Sequence, residues 1–160
     1  MQRALKVCLR PVQRADLDLL FEFERDPAAR HMAAFTSRDG DDRAAFDARW
    51  TKLLGDPSLL LRAVFADGEL VGSASVYGPP HEREVTYWIA RAHWGRGSAS
   101  AALALLVAEE PTRPLRARCA KDNAASLRVL ERCGFGVVGE DRGFAAARGF
   151  EIEEFVLELR

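Results

Sequence analysis

The stretch Trp88-Ile89-Ala90-Arg91-Ala92-His93-Trp94-Gly95-Arg96-Gly97-Ser98-Ala99 holds the most chemistry in this 160-residue chain. An apolar run leads into a loop with two glycines, and an alanine-rich helical pattern follows at once. Such a turn aims several backbone N–H groups at one point, at the positive end of a helix dipole. Glycines there let a phosphate approach the backbone closely. The chemistry suggested is binding of a phosphate or pyrophosphate. A ligand-free turn that needs glycine for its dihedrals is the plain alternative. The dinucleotide fingerprint G-x-G-x-x-G fits poorly, because its third glycine is Ser100 and no acidic residue ends the next apolar run, Leu115 to Cys119. That fold would also place the motif first in the chain, not behind an antiparallel hairpin. No G-x-x-x-x-G-K-S/T sequence occurs, which excludes a P-loop.

The elements that must position this loop can be read from apolar periodicity. Leu5, Val7 and Leu9 alternate with polar residues as a first strand ended by Pro11, and Ala15 to Arg25 reads as a helix. Asp26-Pro27 resembles a cap with proline at the first helical position, so a short helix should follow. Asp39 to Asp42 opens a further helix with Phe46, Trp50, Leu53 and Leu54 on one stripe, and Gly55 is expected to close it in the left-handed conformation. Leu59 to Ala66 and Glu69 to Tyr77 are two strands joined by Asp67-Gly68, a strong hairpin signal. Glu84 to Ala90 is the next strand, with Val85, Tyr87 and Ile89 on one face and Glu84, Thr86 and Trp88 on the other. Ser98 to Glu109 is a helix apolar almost all round, hence buried. Leu115 to Cys119 is a short strand, and Ala124 to Cys133 an amphipathic helix stopped by Gly134. Phe135 to Glu140 and Ile152 to Leu159 are two last strands around a loop containing Arg142, Gly143, Arg148 and Gly149. The expected class is a mixed α/β (α+β) sheet flanked by helices, forming one domain over residues 1–160.

Composition narrows the function. Lys plus Arg number 23 against 24 Asp plus Glu, so no basic excess asks for nucleic acid or an anionic membrane. No apolar run approaches the ~20 residues that span a bilayer, and the first ten residues carry no signal-peptide pattern. Cys8, Cys119 and Cys133 show neither a disulfide framework nor zinc spacing, and His31, His81 and His93 show no ligand spacing. A cytoplasmic protein without a bound metal is expected.

The loop also carries a resemblance. Trp94-Gly95-Arg96-Gly97-Ser98-Ala99 resembles the acetyl-CoA signature of the GNAT acetyltransferase superfamily, Q/R-x-x-G-x-G/A, except that Trp stands at its first position. That replacement, with Glu84-Val85-Thr86-Tyr87-Trp88-Ile89 upstream, is similar to the RimJ/RimL-type branch, the ribosomal-protein N-terminal acetyltransferases and their relatives. Asn123-Ala-Ala-Ser126-Leu-Arg-Val-Leu130-Glu-Arg-Cys-Gly134-Phe135 resembles the branch's N-x-x-S-x-x-V-L-E-K-x-G-F, and Leu9-Arg10-Pro11 with Asp16-Leu17 its opening. Thr86 replaces the usual glycine, and Ala101 a glutamate often seen in the following helix.

The resemblance implies a GNAT fold, with a mostly antiparallel sheet splayed between two parallel strands. It implies transfer of an acetyl group from acetyl-CoA to a primary amine, a protein N-terminus or a small amine, in a ternary complex. Backbone groups of Trp88, Ile89 and Ala90 would pair with the pantetheine arm, and Asn123 would hydrogen-bond it. Gly95, Arg96, Gly97, Ser98, Ala99 and Ser100 would carry the pyrophosphate. Glu84 is the implied base, with an ordinary ion pair to Arg83 or Arg142 as the alternative. The tyrosine acid of many superfamily members would fall at Leu130, so it is absent here. Ser126 is the implied donor to the thiolate, the alternative being a first-turn hydroxyl bonded to backbone. A GNAT-fold domain that binds acyl-CoA without turnover is the competing function. The chain is expected to act as a monomer or homodimer.

Overall fold

The computed structural model describes residues 5–37 and 40–160. Its strands are β1 (Val7–Pro11), β2 (Leu60–Ala66), β3 (Glu69–Tyr77), β4 (Glu84–Ile89), β5 (Leu115–Ala120), β6 (Gly136–Ala145) and β7 (Phe150–Leu159). Its helices are α1 (Leu17–Arg25), α2 (Pro27–Ala33), α3 (Arg43–Leu54), α4 (Ser98–Glu109) and α5 (Ala124–Arg132). The strands form one sheet in the order β1-β2-β3-β4-β5-β7-β6. Every neighbouring pair is antiparallel except β4 and β5.

Strand parity sorts the core into two layers. Ala63 and Leu70 face a pad formed by Val12, Leu17, Leu20 and Phe21 with Phe46 and Trp50 of α3. The rings of Phe21 and Phe46 meet edge to face at 5.2 Å. On the other side Val64, Val71, Val76, Val85, Leu115, Ala117 and Leu157 lie under Ala102, Leu103 and Leu106 of α4 and Leu130 of α5. Small residues on α4 let its backbone lie close to the sheet, which is why a nearly all-apolar helix fits there.

Pro11 is the last residue of β1, opposite Arg62, and ends the strand as expected. An edge strand tolerates proline because the missing N–H can face outward. The ends of several other elements differ from the sequence expectation. Asp42 caps α3 by accepting the Ala45 N–H at 3.0 Å, while Asp39 lies outside the described residues. Gly55 is right-handed, at φ −86°, so α3 does not end in a left-handed cap. Instead the Asp56 carboxylate accepts the Ser58 N–H and hydroxyl, and Pro57 disfavours further helix at Asp56. The final hairpin is longer than its apolar runs. Arg142 and Gly143 sit in β6 opposite Glu153 and Ile152, where Arg142 pairs with Glu151 at 3.4 Å. Cross-strand charges replace the apolar alternation there, which hides the strand from a periodicity argument.

Strands β4 and β5 position the site. They are in register only at Glu84 and Arg116, beside the Arg116 N–H to Arg83 carbonyl bond of 2.9 Å. Beyond that point they diverge and leave a gap in the middle of the sheet.

Candidate active site

At the far end of the gap the indole N–H of Trp94 donates to the Ile89 carbonyl at 2.8 Å and folds the loop back on β4. Gly95 and Gly97 have φ of 76° and 83°, and a Cβ on either would meet no heavy atom within 4 Å. These glycines are therefore required by backbone conformation and leave open space above it. The first helical bond of α4 runs from the Ala101 N–H to the Gly97 carbonyl. The N–H groups of Ser98, Ala99 and Ser100 thus precede any partner within the helix and point at the loop. The Ser98 hydroxyl is buried and has no hydrogen-bond partner among the described residues. Arg96 is exposed on the rim. This cradle suits a phosphate-bearing ligand.

The predicted pantetheine contacts separate by parity. The Ala90 N–H is held by the Val71 carbonyl at 2.8 Å, so Ala90, and by alternation Trp88, direct their backbone groups at β3. The Trp88 indole donates to the Phe23 carbonyl on the α1 side at 3.1 Å. Of the three predicted residues, Ile89 directs its backbone groups into the gap, and its carbonyl already accepts Trp94. Tyr87, overlooked in the sequence as a site residue, shares that orientation.

The Tyr87 hydroxyl lies 2.7 Å from the Ser126 hydroxyl, and burial pushes the phenol up to about 12. Ser126 is in the first turn of α5, whose cap is Asn123. The Asn123 carbonyl oxygen accepts the Ser126 N–H at 3.1 Å, and its amide donates to the Met32 carbonyl at 3.2 Å, at the end of α2. Leu130 is buried in the core under α5.

Glu84 occupies the opposite face of β4 at the vertex of the gap, with Thr86 beside it on that face. Its carboxylate accepts from the Tyr77 hydroxyl, directly across the β3–β4 ladder, and from Arg118 Nε at 3.3 Å. The ion pair with Arg83 or Arg142 does not form. Arg83 binds Glu110 at 2.9 Å and the Gly78 carbonyl at 2.8 Å, and Arg142 faces Glu151. Arg118 also reaches Asp141 and the buried Glu154, each at 2.8 Å, and these carboxylates hold it firmly protonated. The Asp141 carboxyl is correspondingly lowered by Arg118. Burial, then the bond to Glu84, raises the Tyr77 phenol. Parity gives a signal for Arg118: Leu115, Ala117 and Cys119 point to the core, so Arg116 and Arg118 must share the face of Glu84.

Burial raises the Cys119 thiol to about 11 and pushes Cys133 up as well, so neither is an activated nucleophile. Among the described residues no cluster of three His, Cys, Asp or Glu side chains could hold a metal. Among the described residues no helix is long and apolar enough to cross a membrane.

A sheet split between two parallel strands, with an anion cradle at one end and hydroxyl and carboxylate groups at the other, is the architecture of an acyl-CoA-dependent acetyltransferase. Residues 6–136 match the acetyltransferase (GNAT) domain family, and the chain belongs to it. Membership makes acetyl-CoA the cosubstrate to be fitted to the cradle. Among solved structures, the chain is similar to the ribosomal-protein-alanine N-acetyltransferase of Brucella melitensis, with 22% identity and a TM-score of 0.79 over 94% of this chain and 98% of that one. RimJ of Mycobacterium smegmatis, in complex with CoA-disulfide, is 22% identical with a TM-score of 0.77, over 96% of this chain and 81% of its own. The protein yncA of Salmonella typhimurium, solved with acetyl-CoA, is 24% identical with a TM-score of 0.74, over 97% and 94% of the two chains. At these identities the likeness speaks for the fold. No curated protein sequence matches the chain.

Proposed function

We propose that this protein is a single-domain N-acetyltransferase of the RimJ/RimL type, which moves the acetyl group of acetyl-CoA to a primary amine in a ternary complex. The divergence of β4 from β5 beyond Glu84 and Arg116 carries this reading. It opens a passage from the α4 cradle down to Glu84 at the vertex, with Ser126 meeting Tyr87 three residues further along β4. Acetyl-CoA, when bound, supplies an activated acyl carbonyl and a thiol leaving group. The N–H groups from Gly95 to Ser100 would carry its pyrophosphate. Asn123 would hydrogen-bond its pantetheine arm on exchanging the Met32 carbonyl for it.

An α-amine has an ordinary pKa of ~7.7–8.0 and a lysine amine ~10.4, so an acceptor needs help to reach its nucleophilic form. Glu84 takes that proton, directly or through a water, from the α1–α2 face. Ser126 donates a hydrogen bond to the departing thiolate from the α5 face. Peptide N-termini and small amines are the acceptor classes this reading admits.

Acetyl-CoA should raise the melting temperature of the wild type through preferential binding to the folded state. Gly97→Val should abolish most of that rise, since a β-branched residue at this positive φ is strained and fills the open space over the cradle. A wild type unmoved by millimolar acetyl-CoA would contradict the proposal. Release of free thiol with peptide N-termini or small amines separates this enzyme from an acyl-CoA-binding domain without turnover. Binding with no release for any amine would favour the latter.

A further inference from the structure

We propose that Tyr87 is the positioning residue for Ser126: its phenol donates to Ser126 Oγ and thereby directs the serine proton into the gap between β4 and β5. The inference rests on Ser126 being the donor to the departing thiolate. The two hydroxyls are 2.7 Å apart, and either atom is chemically able to donate. Three observations choose the direction. A phenol is the stronger acid, so the favourable arrangement has the phenol donating and the aliphatic oxygen accepting. The Tyr87 oxygen is also 3.4 Å from the Ser126 carbonyl, a long contact that competes weakly with the short one. The usual outlet for a first-turn serine, a bond from its hydroxyl back to the helix backbone, is not taken. The Asn123 carbonyl receives the Leu127 N–H, and the Asn123 side chain receives the Ser126 N–H. Ser126 Oγ therefore accepts from Tyr87 and keeps its own proton available.

The phenol holds its proton at about 12, far above the ~8.5 of a simple thiol. Tyr87 thus orients the serine without giving up a proton. In the transfer, the N–C bond forms, the C–S bond breaks and the amine proton passes to Glu84. The thiolate leaves with a hydrogen bond from Ser126, and no bond of Ser126 or Tyr87 is broken. Tyr87 occupies the neighbouring strand and supplies its hydroxyl from there, whereas position 130 on α5 is an apolar core residue.

The test compares Tyr87→Phe, Ser126→Ala and the double variant by steady-state kinetics at saturating amine. Phenylalanine keeps the ring that packs beneath α5 and removes one oxygen. Tyr87→Phe should lower kcat roughly tenfold with the acetyl-CoA KM and the cofactor-induced melting shift unchanged. In the Ser126→Ala background the same change should alter kcat less than about twofold, because the group being oriented is gone. Equal effects of Tyr87→Phe in both backgrounds, or none in either, would overturn the inference while a slow Ser126→Ala variant leaves the thiolate-donor reading standing. A fully active Ser126→Ala variant would remove that reading and the inference with it. As a check independent of turnover, ultraviolet titration should place tyrosine ionisation higher in Ser126→Ala than in wild type. An unmoved titration would deny the hydroxyl pair.

Discussion

Glu84 receives two donors, the Tyr77 hydroxyl and Arg118 Nε, and lies at the vertex where β4 and β5 part, the place the proposed mechanism gives to the acceptor amine. Arg118 divides its guanidinium among three carboxylates, so the cluster of Glu84, Asp141 and Glu154 around it keeps an excess of negative charge. In the proposed mechanism that excess would favour an approaching ammonium beside Glu84. Glu84→Gln should therefore slow turnover most near neutral pH and least at high pH, where the acceptor is already deprotonated. The pH–rate profile of wild type against variant is the measurement. A uniform loss at every pH would make Glu84 a substrate-binding group and leave the proton to another acceptor. Tyr77 and Arg118 are visible in the sequence only once pairing is known. Tyr77 faces Glu84 through the β3–β4 register, and Arg118 through the neighbouring strand.

At the scale of elements, the gap exists because β4 is held firmly on its β3 side and released on its β5 side. Gly72 makes the first half possible. A Cβ there would lie 2.0 Å from the Trp88 carbonyl oxygen and 3.0 Å from Ile89 Cα, backbone that no rotamer change can clear. Gly72→Ala should push the end of β4 toward the gap, destabilise the fold by about 3 kcal/mol and weaken the acetyl-CoA-induced melting shift. Chemical denaturation and the cofactor shift measure both effects. Stability within 0.5 kcal/mol of wild type, read as roughly experimental equality, would show that β3 yields instead. On the β5 side the strand instead pairs along its length with β7. The helix that follows β5 is anchored by Asn123 to the Met32 carbonyl, which ties α5 to the end of α2.

The whole molecule keeps titratable groups neutral inside the layer under α4 and α5. Tyr87 and Cys119 both ionise with more difficulty than in the unfolded chain, at about 12 and about 11, because burial disfavours their charged forms. Raised folded values give stability that is complete below the unfolded pKa values of ~8.5 for cysteine and ~10 for tyrosine. It is lost as pH climbs through the folded values, because the unfolded state releases its protons first. Denaturant midpoints should thus fall steadily from about pH 9 to about pH 12, and Cys119→Ala should flatten the first part of that decline. A midpoint that stays level across this range would contradict the burial of both groups.

The sequence by itself determined the local geometry and the order of the parts. The loop glycines, the Asp67-Gly68 hairpin and the apolar faces depend on dihedral preferences and short-range periodicity, which a chain carries without its partners. The turn of the cradle was legible for that reason, while Glu84 and Ser126 were singled out only through a resemblance to a family pattern. Strand lengths at Arg142 and Gly143 escaped notice because cross-strand ion pairs, not apolar alternation, hold them. Only the tertiary structure decided which backbone groups face the gap, that Arg118 and Tyr77 hold Glu84, and that Tyr87 meets Ser126 from 39 residues away in the chain. Those relations depend on strand order, register and the point where β4 leaves β5, and each is fixed by packing between segments far apart in the chain.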